Sequence, residues 1–453
     1  MEPVRRAYRS WGGVLRAEGD VVRPRDPKSA ARLLLAPPAA PFIAYGCGRS
    51  YGDVALNPGG LLVETRHLDC FMAFDPETGL LTCEAGVRLA DIFAVISRPQ
   101  ADGSGWMPPV VPGTRFVGVG GAIANDVHGK NDHACGSFGN HVESLELARS
   151  DGSRLICSRT ENPGLFSATI GGLGLTGLIL SATLRLRKVS GLALESEEIR
   201  FGHLDDFFAL DAESAKDWEY TAAWVDCLAG GAQLGRGIYL RARHAPGIGA
   251  PPPSREPKIA VPFAPPISAV NALSLRAFNA AYLRKLGRTG RKTQIASYEK
   301  TFFPLDAIGQ WNKLYGPRGF YQFQAVIPPQ AAREGTADLL RAIADAGQGS
   351  MLVVLKRFGS VGSPGLMSFP MPGVTLALDF PNLGDDTLRL LRRLEDMVVA
   401  ARGRIYPAKD FSMSAATYEK GYPALSAFRH FLDPAMSSAF SRRVGIHPAE
   451  AQT

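Results

Sequence analysis

The segment at residues 112–142, PGTRFVGVGGAIANDVHGKNDHACGSFGNHV, constrains the fold more than any other part of this 453-residue chain. It contains seven glycines, a composition typical of backbone that approaches a ligand closely. A flexible surface loop is the alternative, but apolar residues alternate with the glycines and favour ordered, buried backbone. These apolar residues are Phe116, Val117, Val119, Ala122, Ile123, Val127 and Phe138.

Two further glycine segments lie in the same half of the chain, at residues 44–53 (AYGCGRSYGD) and 171–179 (GGLGLTGLI). In the first, Gly46, Gly48 and Gly52 are spaced Gly-x-Gly-x-x-x-Gly, one residue longer than the Rossmann fingerprint. The residues that follow do not predict the helix that this fingerprint requires, so a nicotinamide Rossmann site is disfavoured. A turn whose backbone N–H groups bind phosphate is compatible with the spacing. Three separate segments suit a long, extended ligand such as a flavin dinucleotide.

The composition is that of a soluble globular protein, with 45% hydrophobic and 21% charged residues. No apolar run approaches the ~20 residues of a membrane-spanning helix, and the N-terminus carries no secretory signal. The six cysteines lack C-x-x-C spacing, which predicts free buried thiols in a reducing compartment and no zinc site. We therefore expect a cytoplasmic protein.

The chain is basic, with a net charge of +7 and a pI near 9.1. A polyanion or an anionic membrane surface is a possible partner for such a charge, and a mildly basic enzyme is the simpler interpretation. The basic residues are spread along the chain without an aromatic-basic recognition motif, which disfavours nucleic acid. A helix at 268–286 followed by Arg288, Arg291 and Lys292 offers lipid headgroups a basic end, but a solvated helix end is the preferred interpretation.

Hydrophobic periodicity predicts mixed α/β structure over residues 41–190 and a strand-rich region after residue 191. The predicted strands are 80–86, 142–149, 153–158, 178–189, 220–226, 320–327, 351–358 and 374–380. Helices are predicted at 88–97, 268–286, 330–346 and 387–401. Residues 245–258, with five prolines and two glycines, predict a mobile loop.

Taken together, the three glycine segments resemble those of FAD-linked oxidases of the vanillyl-alcohol-oxidase type, and specifically the decaprenylphosphoryl-β-D-ribose 2-oxidase family. The resemblance continues through AAWVDCLAG at 222–230, FYQFQAVIP at 320–328, LVVLKRFG at 352–359, SFPMPGVTLALDFP at 368–381 and YPAKD at 406–410. It implies an α+β fold in three parts. Residues 1–190 form the FAD-binding domain, 191–403 a substrate-binding domain built on an antiparallel sheet, and 404–453 a segment that returns to the first domain.

The same resemblance implies which residues bind FAD. They are Gly48, Arg49, Ser50, Tyr51, Gly52, Pro112, Gly113, Thr114, Gly121, Ala122, Asn125, His128, Gly129, Gly136, Ser137, Gly139, His141, Thr176 and Gly177. Arg49 stands where many related sugar and lactone oxidases carry a histidine that bonds covalently to the flavin. Arginine does not form that bond, so the FAD is expected to be noncovalent.

For the chemistry, the resemblance implies oxidation of a secondary alcohol, with a hydride leaving for flavin N5 and a base taking the hydroxyl proton. Lys409 is the first candidate base and Lys130 the second, with Tyr51 beside them. A lysine base needs its pKa lowered from about 10.4 by burial or by nearby positive charge. The commoner fate of a lysine is the surface, and Lys356 in its apolar run is equally compatible with a strand position that faces solvent.

The substrate contacts implied by the match are Gln322, Gln324, Lys356, Thr375 and Ala377. Mycobacterial members of the family carry asparagine and cysteine at the positions of Thr375 and Ala377, so the pocket wall differs here. His128, His133 and His141 lack metal-ligand spacing and stand near the cationic Lys130, so no metal is expected.

The leading hypothesis is oxidation of the 2-hydroxyl of a polyprenyl-phosphoryl-β-D-ribose to the 2-keto sugar. The product would pass to a short-chain reductase that completes an epimerisation to arabinose for cell-envelope glycans. The alternative is an FAD-dependent oxidase of a free sugar, alditol or aldonolactone. A third reading, a basic binding protein without catalysis, would not need three glycine segments. The enzyme would be cytoplasmic, with peripheral contact at the inner membrane face.

Overall fold

The structure, a computed structural model, describes residues 2–35 and 40–447. Its strands are Val4–Arg9, Arg16–Val22, Phe42–Tyr45, Leu61–Glu64, Phe71–Phe74, Leu80–Glu84, Gly105–Met107, Val142–Ala148, Arg154–Ser158, Leu178–Arg185, Arg187–Val189, Leu194–Phe201, Tyr220–Val225, Gly237–His244, Ile259–Ala260, Arg291–Ala296, Ile308–Gly309, Phe320–Ile327, Val354–Phe358, Gly373–Pro381 and Arg404–Ile405. Its α-helices are Pro27–Leu35, Leu89–Val95, Val119–Ala124, Asp132–Cys135, Pro163–Thr169, Leu204–Ser214, Ala272–Arg284, Tyr298–Phe302, Ala332–Ala346, Asp385–Ala400, Ala415–Gly421, Leu425–Phe428 and Ala439–Arg443.

The N-terminal part contains two larger sheets and one two-stranded sheet, consistent with the α+β class. A four-stranded sheet joins the first strands of the chain, and Phe42–Tyr45, which leads into the first glycine segment, pairs in parallel with Leu61–Glu64. A five-stranded antiparallel sheet includes the hairpin of Val142–Ala148 and Arg154–Ser158, as its Asp-Gly turn predicts. The prediction of one strand over 178–189 was wrong in its extent. The strand ends at Arg185, and Arg187–Val189 pairs with Gly105–Met107 instead.

An eight-stranded antiparallel sheet dominates the rest of the chain. All four strands predicted in this region are present, and Phe320–Ile327 has the predicted bounds. Successive side chains of a strand point to opposite faces, so the register sorts polar from apolar residues. Phe323, Ala325, Leu376 and Leu378 belong to the main core, and helix Ala332–Ala346 packs against the two strands that carry them. The opposite face carries the polar residues that form part of the site described below.

The C-terminal part packs against the N-terminal part. Phe42 donates its N–H to Ala435 O, and Ala439 N–H donates to Leu56 O, at 2.8 and 2.7 Å. The first glycine segment also contacts the YPAKD sequence, because Tyr51 N–H donates to Ala408 O at 2.9 Å. A side chain at Gly52 would have its Cβ 1.6 Å from a backbone oxygen of this sequence, so only glycine allows the contact.

The central glycine segment is ordered and largely buried, as its apolar residues predict: Val119, Ala122, Ile123 and Phe138 are each at most 4% exposed. The proline-rich residues 245–258 form neither helix nor strand, and Ser254 O accepts a hydrogen bond of 2.7 Å from Arg115. Their mobility stays a prediction.

Two further predictions need correction. The helix expected from residue 268 begins at Ala272, because the Asn271 side chain accepts from the N–H groups of Leu273 and Ser274 and so caps it there. The cysteines are not all buried, since Cys70 is exposed, although all six are free thiols.

None of the described helices is both long and apolar enough to cross a bilayer.

Candidate active site

A cleft lies between the three glycine segments and the polar face of the eight-stranded sheet. Its volume of about 370 Å³ falls in the range typical of small-molecule and cofactor sites. All three glycine segments contribute to its wall, together with strands Phe320–Ile327, Val354–Phe358 and Gly373–Pro381. Residues far apart in the sequence thus meet around one elongated space.

Twelve of the nineteen residues expected to bind FAD line this cleft. They are Gly48, Arg49, Ser50, Tyr51, Pro112, Gly113, Thr114, Gly121, Asn125, His128, Gly129 and Gly177. The other seven, which lie outside the cleft lining, are Gly52, Ala122, Gly136, Ser137, Gly139, His141 and Thr176.

Several of these seven support the wall from behind. Gly139 donates its N–H to the buried Asp126 carboxylate at 2.8 Å. Ser137 forms a capping box with Asn140 at the start of a 3₁₀ turn. The ring of His141 lies 3.0 Å from Cys135 O. These contacts hold the backbone behind the cleft wall, and a role for these residues in binding FAD stays a prediction.

The cleft wall contains polar atoms that are left unpaired. Arg49 Nε, Asn125 Oδ1 and Gln322 Oε1 are buried and have no hydrogen-bond partner among the described residues. Buried polar groups are almost always hydrogen-bonded, so these three atoms fit a bound polar ligand. Gly113 and Gly121 line the same cleft, and a Cβ at either would meet only open space. The unpaired donor and acceptors, together with glycine backbone that no side chain covers, fit a large ligand with phosphate and ring groups.

Arg49 is held in place by aromatic rings. Its guanidinium carbon lies 4.2 Å from the centre of the Trp11 ring and 5.2 Å from that of Phe116. Burial lowers the pKa of Arg49, although a guanidinium remains charged in proteins. The site therefore presents a fixed positive charge beside the turn at Gly48, which has a φ of +62°.

Lys409 lies where the first glycine segment meets the eight-stranded sheet. Its Nζ is 4.0 Å from the centre of the Tyr51 ring. Tyr406 N–H donates to Gln324 O at 2.9 Å and so fixes the 3₁₀ turn Pro407–Lys409 against the sheet. Burial lowers the pKa of Lys409, and the Asp379 carboxylate opposes that shift. This lysine has the environment that a base requires, unlike an ordinary surface lysine.

Asp379 is a site residue that the sequence analysis missed. It is 1% exposed and accepts hydrogen bonds from Gln322 Nε2 at 2.8 Å and from the Tyr315 hydroxyl at 3.3 Å. Burial raises the pKa of its carboxyl, and Lys409 opposes the shift. A sequence signal was available, because Thr375, Ala377 and Asp379 are alternate residues of one strand and share a face.

Lys130 enters the cleft from the central glycine segment. Its Nζ donates to Thr301 O at 2.6 Å and lies 5.4 Å from the centre of the Phe302 ring. Burial lowers the pKa of Lys130 to about 8. The cleft thus holds a second amine with weakened affinity for its proton.

Lys356 is 6% exposed and faces the cleft, so the solvent-facing alternative was wrong. Its ammonium donates to Gly129 O at 2.6 Å and to His128 Nδ1 at 2.8 Å. Burial lowers the pKa of His128 well below its usual value, and the charged forms of Lys356 and Lys409 lower it further, which keeps the ring neutral. Burial also lowers the pKa of Lys356, to about 7. Gln324 Nε2 donates to Thr375 Oγ1 at 3.1 Å and lies 3.0 Å from His128 Nε2.

Several other cleft residues belong to no recognisable sequence motif and were not predicted. Asp306, 5% exposed, accepts from the backbone N–H of Arg115 at 2.8 Å and pairs with its guanidinium at 3.3 Å. Trp11 and Trp311 contribute aromatic wall from segments distant in sequence. In the described part of the chain, no group of three or more His, Cys, Asp or Glu side chains has a metal-binding arrangement.

This fold and cleft define an FAD-dependent oxidoreductase, and comparison with known proteins agrees. Residues 20–158 match the FAD binding domain family. The chain is 32% identical to the decaprenylphosphoryl-beta-D-ribose oxidase of Mycolicibacterium smegmatis over 96% of both chains. It therefore belongs to the decaprenylphosphoryl-β-D-ribose oxidase family, and its cofactor is FAD.

More distant similarity covers shorter stretches. The L-gulonolactone oxidase of Mus musculus is 31% identical over 31% of this chain and 30% of its own length. Cytokinin dehydrogenase 8 of Oryza sativa subsp. indica is 32% identical over 41% of this chain and 38% of its own. Part of the chain is thus also similar to a lactone oxidase and to a dehydrogenase.

Proposed function

We propose that the protein oxidises the 2-hydroxyl of a polyprenyl-phosphoryl-β-D-ribose to the ketone, with noncovalent FAD. The observation that carries this proposal is the position of Lys409, on the Tyr51 ring where the glycine-lined wall meets the polar sheet face. A sugar hydroxyl held at this point of the cleft would be within reach of a buried amine. When bound, FAD supplies the acceptor for the hydride.

Proton removal is assigned to Lys409. Its lowered pKa increases the fraction of neutral amine near neutral pH, and the neutral amine accepts the hydroxyl proton as the hydride leaves the same carbon. Burial raises the pKa of Tyr51, so its phenol stays protonated and serves as a hydrogen-bond donor.

The remaining groups position the substrate. Lys130 and Lys356 line one cleft, and in their protonated forms they suit the phosphate that links sugar to lipid. Gln322 has an unpaired buried oxygen that suits a sugar hydroxyl. Ala377 is smaller than the cysteine that mycobacterial members carry at this position, which leaves room beside the sugar.

A free sugar, alditol or aldonolactone is the second candidate substrate, because the lactone oxidase similarity covers part of the chain. Two observations favour the lipid-linked sugar. The similarity to the Mycolicibacterium smegmatis oxidase extends over nearly the whole chain, and Arg49 replaces the histidine typical of covalent flavin attachment.

We further propose the division into an FAD-binding domain at 1–190, a substrate-binding domain at 191–403 and a returning segment at 404–453. The contacts of the C-terminal part with Phe42 and Leu56 support it. A short-chain reductase would complete the epimerisation to arabinose for cell-envelope glycans. The proposed location is the cytoplasm, at the inner membrane face.

Anaerobic titration of the FAD-loaded protein tests the reaction. A short-chain polyprenyl-phosphoryl ribose should bleach the visible flavin absorbance, whereas free ribose and an aldonolactone should not. Bleaching by the free sugar or lactone alone would assign the second candidate function. Release of FAD by acid or heat denaturation would confirm noncovalent attachment, and flavin retained on the denatured chain would contradict it.

A further inference from the structure

One segment of the chain contains several basic residues and no acidic residue. Residues 257–298 contain seven basic residues and no acidic residue, so this stretch alone accounts for a formal charge of +7, equal to that of the whole chain. Three of the seven pair with carboxylates from elsewhere, namely Lys258, Lys285 and Arg291. The other four are exposed and form no ion pair with a described carboxylate: Arg276, Arg284, Arg288 and Lys292.

The same segment carries the most exposed large apolar side chains of the described residues. Ile267 and Leu273 are each 80% exposed, Phe263 72% and Ile259 64%. Single exposed apolar residues are common on protein surfaces, but four within fifteen residues of sequence indicate a binding surface. We refer to residues 259–288 as the basic apolar surface.

This surface stands directly outside the cleft. Ala269 N–H donates to Leu314 O at 2.9 Å, and Lys313 Nζ donates to Pro262 O at 3.0 Å. These hydrogen bonds fix the exposed loop at 259–271 to the 3₁₀ turn Trp311–Tyr315. Trp311 lines the cleft, and Val270 and Leu275 pack with it in one cluster. The outer surface and the cleft wall are therefore two sides of one structural unit.

Helix Ala272–Arg284 has one face buried against the protein and one face exposed. Its inner face buries Leu275 and Asn279. Its outer face exposes Leu273, Arg276 and Arg284 at helical spacing. This outer face therefore presents one exposed leucine and two cations, which suit contact with anionic headgroups.

We propose that the basic apolar surface docks the protein on an anionic lipid bilayer, with Phe263 and Ile267 inserted among the lipids and the unpaired arginines on the headgroups. This deepens the proposed function and rests on it, because a polyprenyl-linked sugar lies with its lipid in the membrane. Docking through the loop fixed to Trp311 brings the cleft beside that membrane. Each cation near an anionic surface contributes about a fivefold gain in partitioning.

Co-sedimentation with vesicles tests the docking without any turnover. The FAD-loaded protein is mixed with vesicles of phosphatidylcholine, with or without phosphatidylglycerol. We expect wild type to sediment with the anionic vesicles, and the Phe263→Ser/Ile267→Ser double variant to lose at least about tenfold in partitioning. Met72→Ser is the matched control, since Met72 is 56% exposed on a separate sheet, and it should bind like wild type.

Charge is tested separately with Arg276→Gln/Arg288→Gln, which should weaken vesicle binding and reduce its sensitivity to salt.

Wild type that does not bind anionic vesicles, or a serine double variant that binds equally well, would overturn the proposal. So would a dimer in light scattering that the serine double variant converts to a monomer, because the surface would then belong to a second copy. Bleaching by a short-chain substrate in the absence of vesicles should be unchanged in the serine double variant. Failure of that bleaching in wild type would instead contradict the proposed function and leave vesicle binding as a separate result.

Discussion

Replacing Asp379 with asparagine should shift the pH dependence of the oxidation toward lower pH. The carboxylate of Asp379 favours the charged form of Lys409 and so raises its pKa, against the larger effect of burial. Asparagine removes the charge but retains an acceptor for Gln322 and a polar group beside the Tyr315 hydroxyl. With the charge gone, the pKa of Lys409 falls, and the neutral base persists to lower pH.

The size of the shift follows from electrostatics. Two unit charges in ion-pair contact interact by about 4 kcal/mol at an effective dielectric constant of about 20, and one pKa unit corresponds to about 1.4 kcal/mol. The upper limit is therefore about three pKa units. Asp379 and Lys409 form no direct ion pair, so we expect about one unit.

The assay is the rate of flavin bleaching in stopped flow with a short-chain polyprenyl-phosphoryl ribose, across the pH range. The acid side of the profile should move to lower pH in Asp379→Asn. The matched control is Asp132→Asn, because Asp132 is also a buried carboxylate but acts mainly on Lys356. An unchanged profile in Asp379→Asn, or a shift to higher pH, would refute the assignment of Lys409 as the base whose protonation sets the rate.

Three further variants test other parts of the account. Lys409→Met should slow flavin bleaching by about 10²–10⁴-fold, measured in stopped flow, and leave the FAD content unchanged. Gly121→Val should place its side chain in the cleft and weaken FAD binding by about 1–3 kcal/mol, at least about fivefold in Kd by fluorescence titration. Arg115→Met should lower the free energy of unfolding by about 3–5 kcal/mol in urea, because it leaves the buried Asp306 carboxylate without its partner.

Each of these variants has its own counter-result. A Lys409→Met protein that bleaches at the wild-type rate would exclude Lys409 as the base. Gly230→Val is the control for Gly121→Val, since a Cβ at Gly230 also meets open space but lies outside the cleft. Equal FAD affinity in the two valine variants would contradict the placement of the cofactor. An Arg115→Met protein as stable as wild type would show that the buried pair contributes no stability.

Local sequence signals predicted much of the fold. The Asp-Gly turn predicted the hairpin of Val142–Ala148 and Arg154–Ser158, and alternation predicted Phe320–Ile327 with its observed bounds. Boundaries were less predictable where side-chain hydrogen bonds decide them, as at the Asn271 cap. The interruption between Arg185 and Arg187 depends on a pairing with Gly105–Met107, about eighty residues away in sequence.

The candidate site likewise combines residues that sequence motifs predict with residues that only the folded structure identifies. Motif resemblance selected the three lysines, and the structure brings all of them to one cleft. Asp379 and Asp306 carry no motif, and their importance comes from burial and from charged neighbours. Sequence could not separate the seven residues outside the cleft lining from the other twelve, because close ligand approach and close backbone packing both favour the same glycine-rich segments.

The most direct test of the central claim uses polyprenyl-phosphoryl ribose deuterated at carbon 2. Anaerobic bleaching of the flavin should be severalfold slower with this substrate than with the unlabelled one, and the sugar product should have lost the deuterium. That result would establish both the substrate class and the site of hydride removal. Equal bleaching rates together with deuterium retained in the product would contradict the proposed reaction.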